Sequence, residues 1–482
     1  MSSLFGRFLK GKATLPAAPG SKEAAATVAA PKQFDAVYAE ALRAATAKDF
    51  ERALPLYDEA IGLDPARAEP YYKRANALRD IGHLDAALAS YDQAIERKPD
   101  YAFAYCNRGV VLHTLGSLDA ALSSLDAALG LESNDAFAHY NRALVLQDGH
   151  RWEEAVASYD RAIAINPEFA DAQYNRSMAA LFQGDFARGW PGFEWRWKNA
   201  QRLAIGAVRN FQQPLWLGQE PIAGKRLLLH KEGGLGDTLQ FCRYAKLAAA
   251  RGASVILEVQ APLLGLLANL EGVSQLIAAG SALPSFDYHC PLMSLPLAFN
   301  TTLDTLPAPR KYLSSSAANV ATWRERLGEP TRPRVGLVWS GNPNNPIDSR
   351  RSLRLADWLP HLPAEFQYFC LQRELREDDA AVLDSSAILS YDDDLLDFPN
   401  TAALCECLDV VISVDTSPAH LSGALGQRTW VLLPFTPDWR WLRDREDCPW
   451  YPTMKLYRQK AAGDWNEVFS RVAADLQREF RR

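Results

Sequence analysis

Small and apolar residues recur along the first third of the chain at a fixed interval. Ala53, Ala87, Ala121 and Ala155 lie 34 residues apart. Positions four, seven and twelve further on repeat with them, as Tyr57, Tyr91, Leu125 and Tyr159, then Ala60, Ala94, Ala128 and Ala162, then Pro65, Pro99, Ser133 and Pro167. Small residues where two helices touch, an aromatic on the second helix and a helix-ending proline predict helix pairs from about Phe34 to Glu168.

A period of 34 with these positions is the tetratricopeptide pattern. Stacked units of this kind form a solenoid with a long concave face, which implies a polypeptide partner for roughly the first 200 residues. Within the array, Arg74, Arg108, Arg142 and Arg176 recur, preceded by Lys73, Asn107, Asn141 and Asn175. Two readings serve this ladder. Its amides and guanidinium groups line an acceptor groove and donate to a bound peptide, or they tie neighbouring units together. A fifth, divergent unit begins at Ala170, where Gly189, Trp190, Phe193, Trp195 and Trp197 replace the usual small residues. It reads as an aromatic cap on the array, with a sugar platform as the alternative.

From Arg226 the pattern changes to short apolar runs alternating with helical stretches. Leu227–His230, Ser254–Val259, Ser274–Ala278 and Phe286–Cys290 are predicted strands of a first parallel α/β half. A proline-bearing linker at 305–312 and a helix at 317–327 lead to a second half. Its predicted strands are Arg334–Ser340, Gln367–Leu371, Ala387–Ser390, Val410–Val414 and Trp430–Leu433. The expected architecture is therefore an α-solenoid followed by two Rossmann-like halves. Its domains are a disordered leader over 1–33, the repeat array with its cap over 34–200, and α/β halves over 201–313 and 314–482. A ligand belongs at the carboxyl ends of the strands.

Composition narrows the partners. The chain of 482 residues is 48% hydrophobic and 23% charged, with a net charge of −6, which argues against nucleic acid or an anionic membrane as partner. No apolar run reaches bilayer-spanning length, so a cytoplasmic protein is expected. The seven cysteines are scattered and include no C-x-x-C pair, and neither they nor Asp392-Asp393-Asp394 make a convincing metal site.

Two loops carry candidate chemistry. Gly233-Gly234-Leu235-Gly236-Asp237 follows the first predicted strand; it departs from the dinucleotide and Walker fingerprints. Its glycines Gly234 and Gly236 admit close backbone approach, and Asp237 reads by itself as an acid at a helix start. The second loop, Asp415-Thr416-Ser417-Pro418-Ala419-His420, follows the apolar strand Val410–Val414. Here Ser417 is the expected N-cap and Pro418 the first helical residue. The helix start, the Thr416 and Ser417 hydroxyls and His420 make an anion site fit for a diphosphate. Arg350 and Arg351 either neutralise that anion or form a solvated surface pair. Trp439, Trp441 and Trp450 are expected in the core.

Together these segments resemble bacterial proteins that fuse tetratricopeptide repeats to a heptosyltransferase-like glycosyltransferase of the GT-B fold. The resemblance is carried by Leu229 through Leu239, by Asp415-Thr416 through His420 and Gly426, and by Pro434 through Trp441. The plan is also similar to O-GlcNAc transferase and to flagellin glycosyltransferases. The resemblance implies inverting, metal-independent transfer from a nucleotide-activated sugar to an acceptor hydroxyl, on a polypeptide held by the repeats. It implies Asp237 as general base and Asp415, Thr416, Ser417, His420 and Arg351 around the donor diphosphate, with no cofactor beyond the nucleotide-sugar substrate. Ser417-Pro418 departs from the family's usual glycine and apolar residue, and the first half is shorter than in free-standing members. The competing reading is a non-catalytic tetratricopeptide adaptor.

Overall fold

The structure, a computed structural model, describes residues 29–198, 209–344, 348–392, 394–395 and 397–480. Chain contacts divide it into two compact units, residues 1–176 and 177–482. The first is a run of antiparallel helix pairs: α1 (Ala29–Thr46), α2 (Phe50–Leu63), α3 (Ala68–Asp80), α4 (Leu84–Arg97), α5 (Ala102–Thr114), α6 (Leu118–Leu131), α7 (Ala136–Asp148), α8 (Trp152–Ile165) and the start of α9 (Ala170–Phe182). The repeating alanines and aromatics are buried between paired helices, as at Ala87, Tyr91 and Ala94. Alanine at each contact lets two helix backbones approach closely, while the aromatic fills the space beside them. Helix α1 begins at Ala29, so the last residues of the expected leader are helical. The rest of that leader lies outside the described residues.

The second unit opens with α10 (Phe186–Phe193), capped by Asp185, and a single tight turn at Glu194–Trp197. Phe186, Trp190 and Phe193 lie against Trp439 and Trp450, with Trp190 and Trp439 centroids 5.3 Å apart and edge to face. The indole of Trp190 donates to the Thr301 carbonyl at 2.9 Å. These rings are buried in the core of the second unit, so packing and not a sugar platform is their use. The expected boundary near residue 200 moves accordingly, because α10 shares the core of the α/β body.

Two parallel sheets follow. The first holds β1 (Arg226–His230), β2 (Ser254–Val259), β3 (Val273–Ala278) and β4 (Tyr288–Pro291) in the order β3-β2-β1-β4. The second holds β5 (Arg334–Val338), β6 (Gln367–Cys370), β7 (Val410–Val414), β8 (Thr429–Leu433) and β9 (Met454–Arg458) in the order β6-β5-β7-β8-β9. β5, β7 and β8 are buried along their whole length, as expected of central strands covered on both faces. Two details differ from expectation. Ala387–Ser390 makes a single bridge, Leu389 to Phe369, and β9 adds an edge strand absent from the sequence reading. The order in which strands are laid down reverses between β1 and β4 in the first sheet and between β5 and β7 in the second. Ligands of such sheets collect at these switch points.

Candidate functional site

At the second switch point the chain leaves β5 through Trp339 and Ser340, and leaves β7 through Asp415 and Thr416. The strands pair in parallel, Val338 beside Ser413. Both the Ser340 and the Thr416 hydroxyl oxygens are buried without a hydrogen-bond partner. Native proteins seldom leave such groups unmet, so this pair marks a place where two hydroxyls would donate to a ligand oxygen.

Thr416 also starts helix α12 (Ser417–Ala424); a second labelled helix, α11 (Leu235–Phe241), belongs to the first half. The N-cap of α12 is Thr416 and not Ser417, which becomes the first helical residue with Pro418 second. Proline fits there because the first turn leaves its backbone nitrogens without intrahelical partners. Thr416 is extended and makes no side-chain capping bond, so its hydroxyl is not spent on the helix.

Helix α11 starts beside α12. Gly233 has φ +71°, a conformation that favours glycine, and turns the chain into Gly234. The Gly234 N–H donates to Asp237 Oδ2 at 2.7 Å, and the other oxygen of Asp237 is ion-paired with Arg440. Asp237 thus realises the helix-acid reading, and as a base it would first have to loosen from Arg440. Its side chain is 23% exposed, and burial pushes its pKa up against the opposing pull of Arg440. Arg440 also donates to Asp438 at 2.9 Å and to Gln240 at 2.8 Å. Gly236 is required by proximity: a Cβ there would stand 2.8 Å from His420 Cδ2 and 3.5 Å from Ser417 Cα. The two loops singled out separately in the sequence are therefore in contact.

His420 is 5% exposed, stacks on Trp441 with centroids 5.5 Å apart, and has Nδ1 3.0 Å from the Tyr451 hydroxyl. Burial, then Arg440, Arg243 and Arg351, hold it well below the usual histidine range, so it is neutral. Arg351 does not stand free to meet a phosphate. It donates to the Asp415 carbonyl at 2.6 Å and to Asp348 at 3.2 Å. The surface reading fits Arg350, which is exposed.

Asp415 is 9% exposed, and burial, followed by nearby Asp438, pushes its pKa to about 6. Its ordinary value is 3.8, so between these two the native state binds more protons than the unfolded chain. Stability therefore falls as pH rises through this window, and the cost is fully present above it, about 1.4 kcal/mol per unit. Asp415→Asn removes this slope; urea unfolding of both proteins at about pH 4 and about pH 7 measures it.

Sequence reasoning missed Arg196. It is fully buried, donates to Glu232 from Nε at 2.7 Å and from Nη2 at 2.9 Å, and also reaches Glu194 at 2.6 Å and Ser294 at 2.7 Å. Glu232 immediately precedes Gly233, so the turn after α10 holds the start of the Asp237 loop. Arg440 and Tyr451 were missed likewise.

The repeat ladder resolves toward the structural reading. Arg108 donates to Asp92 at 2.6 Å and Ser124 at 3.3 Å, Arg142 to Asp126 at 2.6 Å and Ser158 at 2.7 Å, and Arg176 to Asp160 at 2.5 Å. Asn107 donates to Tyr72 and Asn76, both at 3.0 Å, and Asn175 to Tyr140 at 2.9 Å, while Asn141 faces Cys106 Sγ at 4.0 Å. Of the two readings, these contacts favour the one in which the ladder ties units together: Arg108 and Arg142 each bond to an aspartate of the preceding unit and a serine of their own, and Arg176 bonds to Asp160 of the preceding unit. Among the described residues, no group of three or more His, Cys, Asp or Glu gathers as a metal set, and no helix is long and apolar enough to cross a membrane. Asp394 pairs with Arg326 at 2.6 Å, and Asp393 lies outside the described residues.

Comparison with known proteins finds tetratricopeptide repeats, described as TPR repeat over residues 75–116 and 148–179 and as tetratricopeptide repeat over 104–135. The chain carries these repeats ahead of its α/β unit. It is 26% identical over 328 residues to Protein FlbA of Caulobacter vibrioides, covering 61% of this chain and 53% of that protein. The chain thus spans about half the length of this curated relative. Among solved structures it is similar to YrrB, a TPR protein with an unusual peptide-binding site, at 22% identity and a TM-score of 0.32 over 38% of this chain and 99% of that one. It is also similar to MamA 41-end from Desulfovibrio magneticus RS-1, at 19% identity and a TM-score of 0.32 over 36% of this chain and 97% of that one.

Proposed function

We propose that the protein is a glycosyltransferase of GT-B type, moving a sugar from a nucleotide-activated donor to a hydroxyl of a polypeptide recruited by the repeats. The observation that carries this reading is the pair of unmet hydroxyls, Ser340 and Thr416, at the second switch point by the start of α12, a helix that itself touches α11 of the other half through His420, Ser417 and Gly236. A diphosphate there gains hydroxyl donors and the positive end of α12. The acceptor hydroxyl attacks the anomeric carbon as the bond from that carbon to the diphosphate oxygen breaks. The electron pair leaves with the diphosphate and the acceptor proton passes to Asp237. Arg440, now attached to Asp237, is released toward the leaving anion as Asp237 turns to the acceptor. Arg351 acts one step removed, by holding the Asp415 carbonyl and hence the loop.

One feature favours a second reading, a nucleotide-binding adaptor without turnover. Both oxygens of Asp237 are engaged, and Arg351 and Arg440 are already paired with acids. Incubating the full chain with a panel of nucleotide sugars and a cell lysate, followed by intact-protein mass spectrometry, separates the two. Transfer predicts a sugar-sized mass gain on one acceptor with one donor. Nucleotide binding without any gain would leave the adaptor reading in its place.

A further inference from the structure

We propose that Tyr451 is a positioning residue that fixes His420 as the Nε2–H tautomer, so that His420 serves the crevice as a neutral hydrogen-bond donor and not as a base. The inference deepens the diphosphate reading and rests on it for the identity of the ligand.

Tyr312 donates to the Leu239 carbonyl at 2.8 Å, an acceptor that has no proton of its own to give. The oxygen of Tyr312 in turn accepts from Arg243 at 2.9 Å. The hydroxyl proton of Tyr451 then has two destinations, Tyr312 or His420 Nδ1, the latter at 3.0 Å. A phenol oxygen already polarised by a guanidinium is a poor acceptor, whereas a neutral imidazole nitrogen is a strong one. Tyr451 therefore donates to Nδ1, and the ring proton of His420 sits on Nε2. Burial first, and then the guanidinium groups of Arg440, Arg243 and Arg351, keep the ring from gaining a second proton.

The ring has little freedom to do otherwise. Trp441 stacks on one face, and Gly236 leaves only enough room for the Cδ2 and Nε2 edge, whose atoms would lie 2.8 and 3.6 Å from a Cβ at that position. Nε2 thus faces the contact between α11 and α12, in the first turns of α12, with no hydrogen-bond partner among the described residues. A neutral N–H there contributes to holding an anion without carrying a charge that the product would have to leave behind.

Full-length protein labelled with 15N only in histidine tests this by two-bond 1H–15N correlation, with His420 assigned by its loss in His420→Gln. The expected result is a protonated Nε2 and a bare Nδ1 at neutral and mildly acidic pH. Tyr451→Phe, which keeps the ring packing, should shift His420 toward the other tautomer and weaken UDP or ADP binding about tenfold. A His420 protonated at Nδ1 in the parent, or one whose tautomer is indifferent to Tyr451→Phe, overturns the proposal. If the tautomer behaves as expected but neither UDP, ADP nor inorganic pyrophosphate moves the Nε2–H resonance, the diphosphate reading fails while the Tyr451 assignment stands.

Discussion

Asp237→Asn lowers sugar transfer by about 100- to 10,000-fold, the loss that follows removal of a positioned general base. The amide is the right replacement because it keeps a carbonyl oxygen to accept from the Gly234 N–H, so the start of α11 survives. Arg440 loses one partner but retains Asp438 and Gln240. The effect should therefore fall on kcat, with the affinity for the nucleotide changing little, since Asp237 stands on the acceptor side of the crevice in this mechanism. Initial rates over a range of donor concentrations, alongside urea unfolding of the same preparation, give both quantities. A variant that retains a third or more of the parent's turnover would remove Asp237 from the role of base and leave it as a helix cap and ion-pair partner.

The largest structural effect is expected at a residue far from the reacting atoms. Arg196→Met should destabilise the second unit by about 3–5 kcal/mol, because it takes a fully buried guanidinium away from its ion pairs with Glu232 and Glu194. Methionine preserves much of the volume between the Phe193 and Trp197 rings, whose centroids lie 4.3 and 4.4 Å from the guanidinium carbon. The cost is thus one of charge, not of a cavity. Adding Glu232→Gln to Arg196→Met should recover part of the loss, and a double-mutant cycle read by urea unfolding isolates the coupling. Costs that simply add across the two positions would mean the pair is not acting as a unit.

The repeats were legible because each unit writes the same small and aromatic residues at the same interval, and helix pairing is local. The central strands were legible for a similar reason, since β5, β7 and β8 are short uninterrupted apolar runs. β9 was not: it is an edge strand whose Lys455 and Arg458 break the apolar run and bond to residues outside the sheet. The loops of Asp237 and of Asp415 to His420 could each be found alone, by glycines and by a capped helix start. Their contact could not, because it depends on Gly236 meeting His420 across nearly two hundred residues. Arg440 and Arg196 were invisible for the same reason; each is an ordinary arginine among tryptophans until the fold brings Asp237 and Glu232 to it. The arginine ladder was legible as a repeat but not in its use: repetition alone serves a groove and a unit-to-unit tie equally, and only the fold shows each arginine beside the aspartate that repeats with it.

The place of α10 sets where this protein can be cut. A fragment begun at residue 201, the natural choice if the divergent pair is counted with the solenoid, would strip Trp439 and Trp450 of their aromatic cover. Such a fragment would expose a sticky apolar face and lose the buried guanidinium that Glu232 is bonded to. One begun ahead of α9, by contrast, takes the whole second unit with its core closed, and is the shorter route to crystals or binding assays that report on the crevice alone.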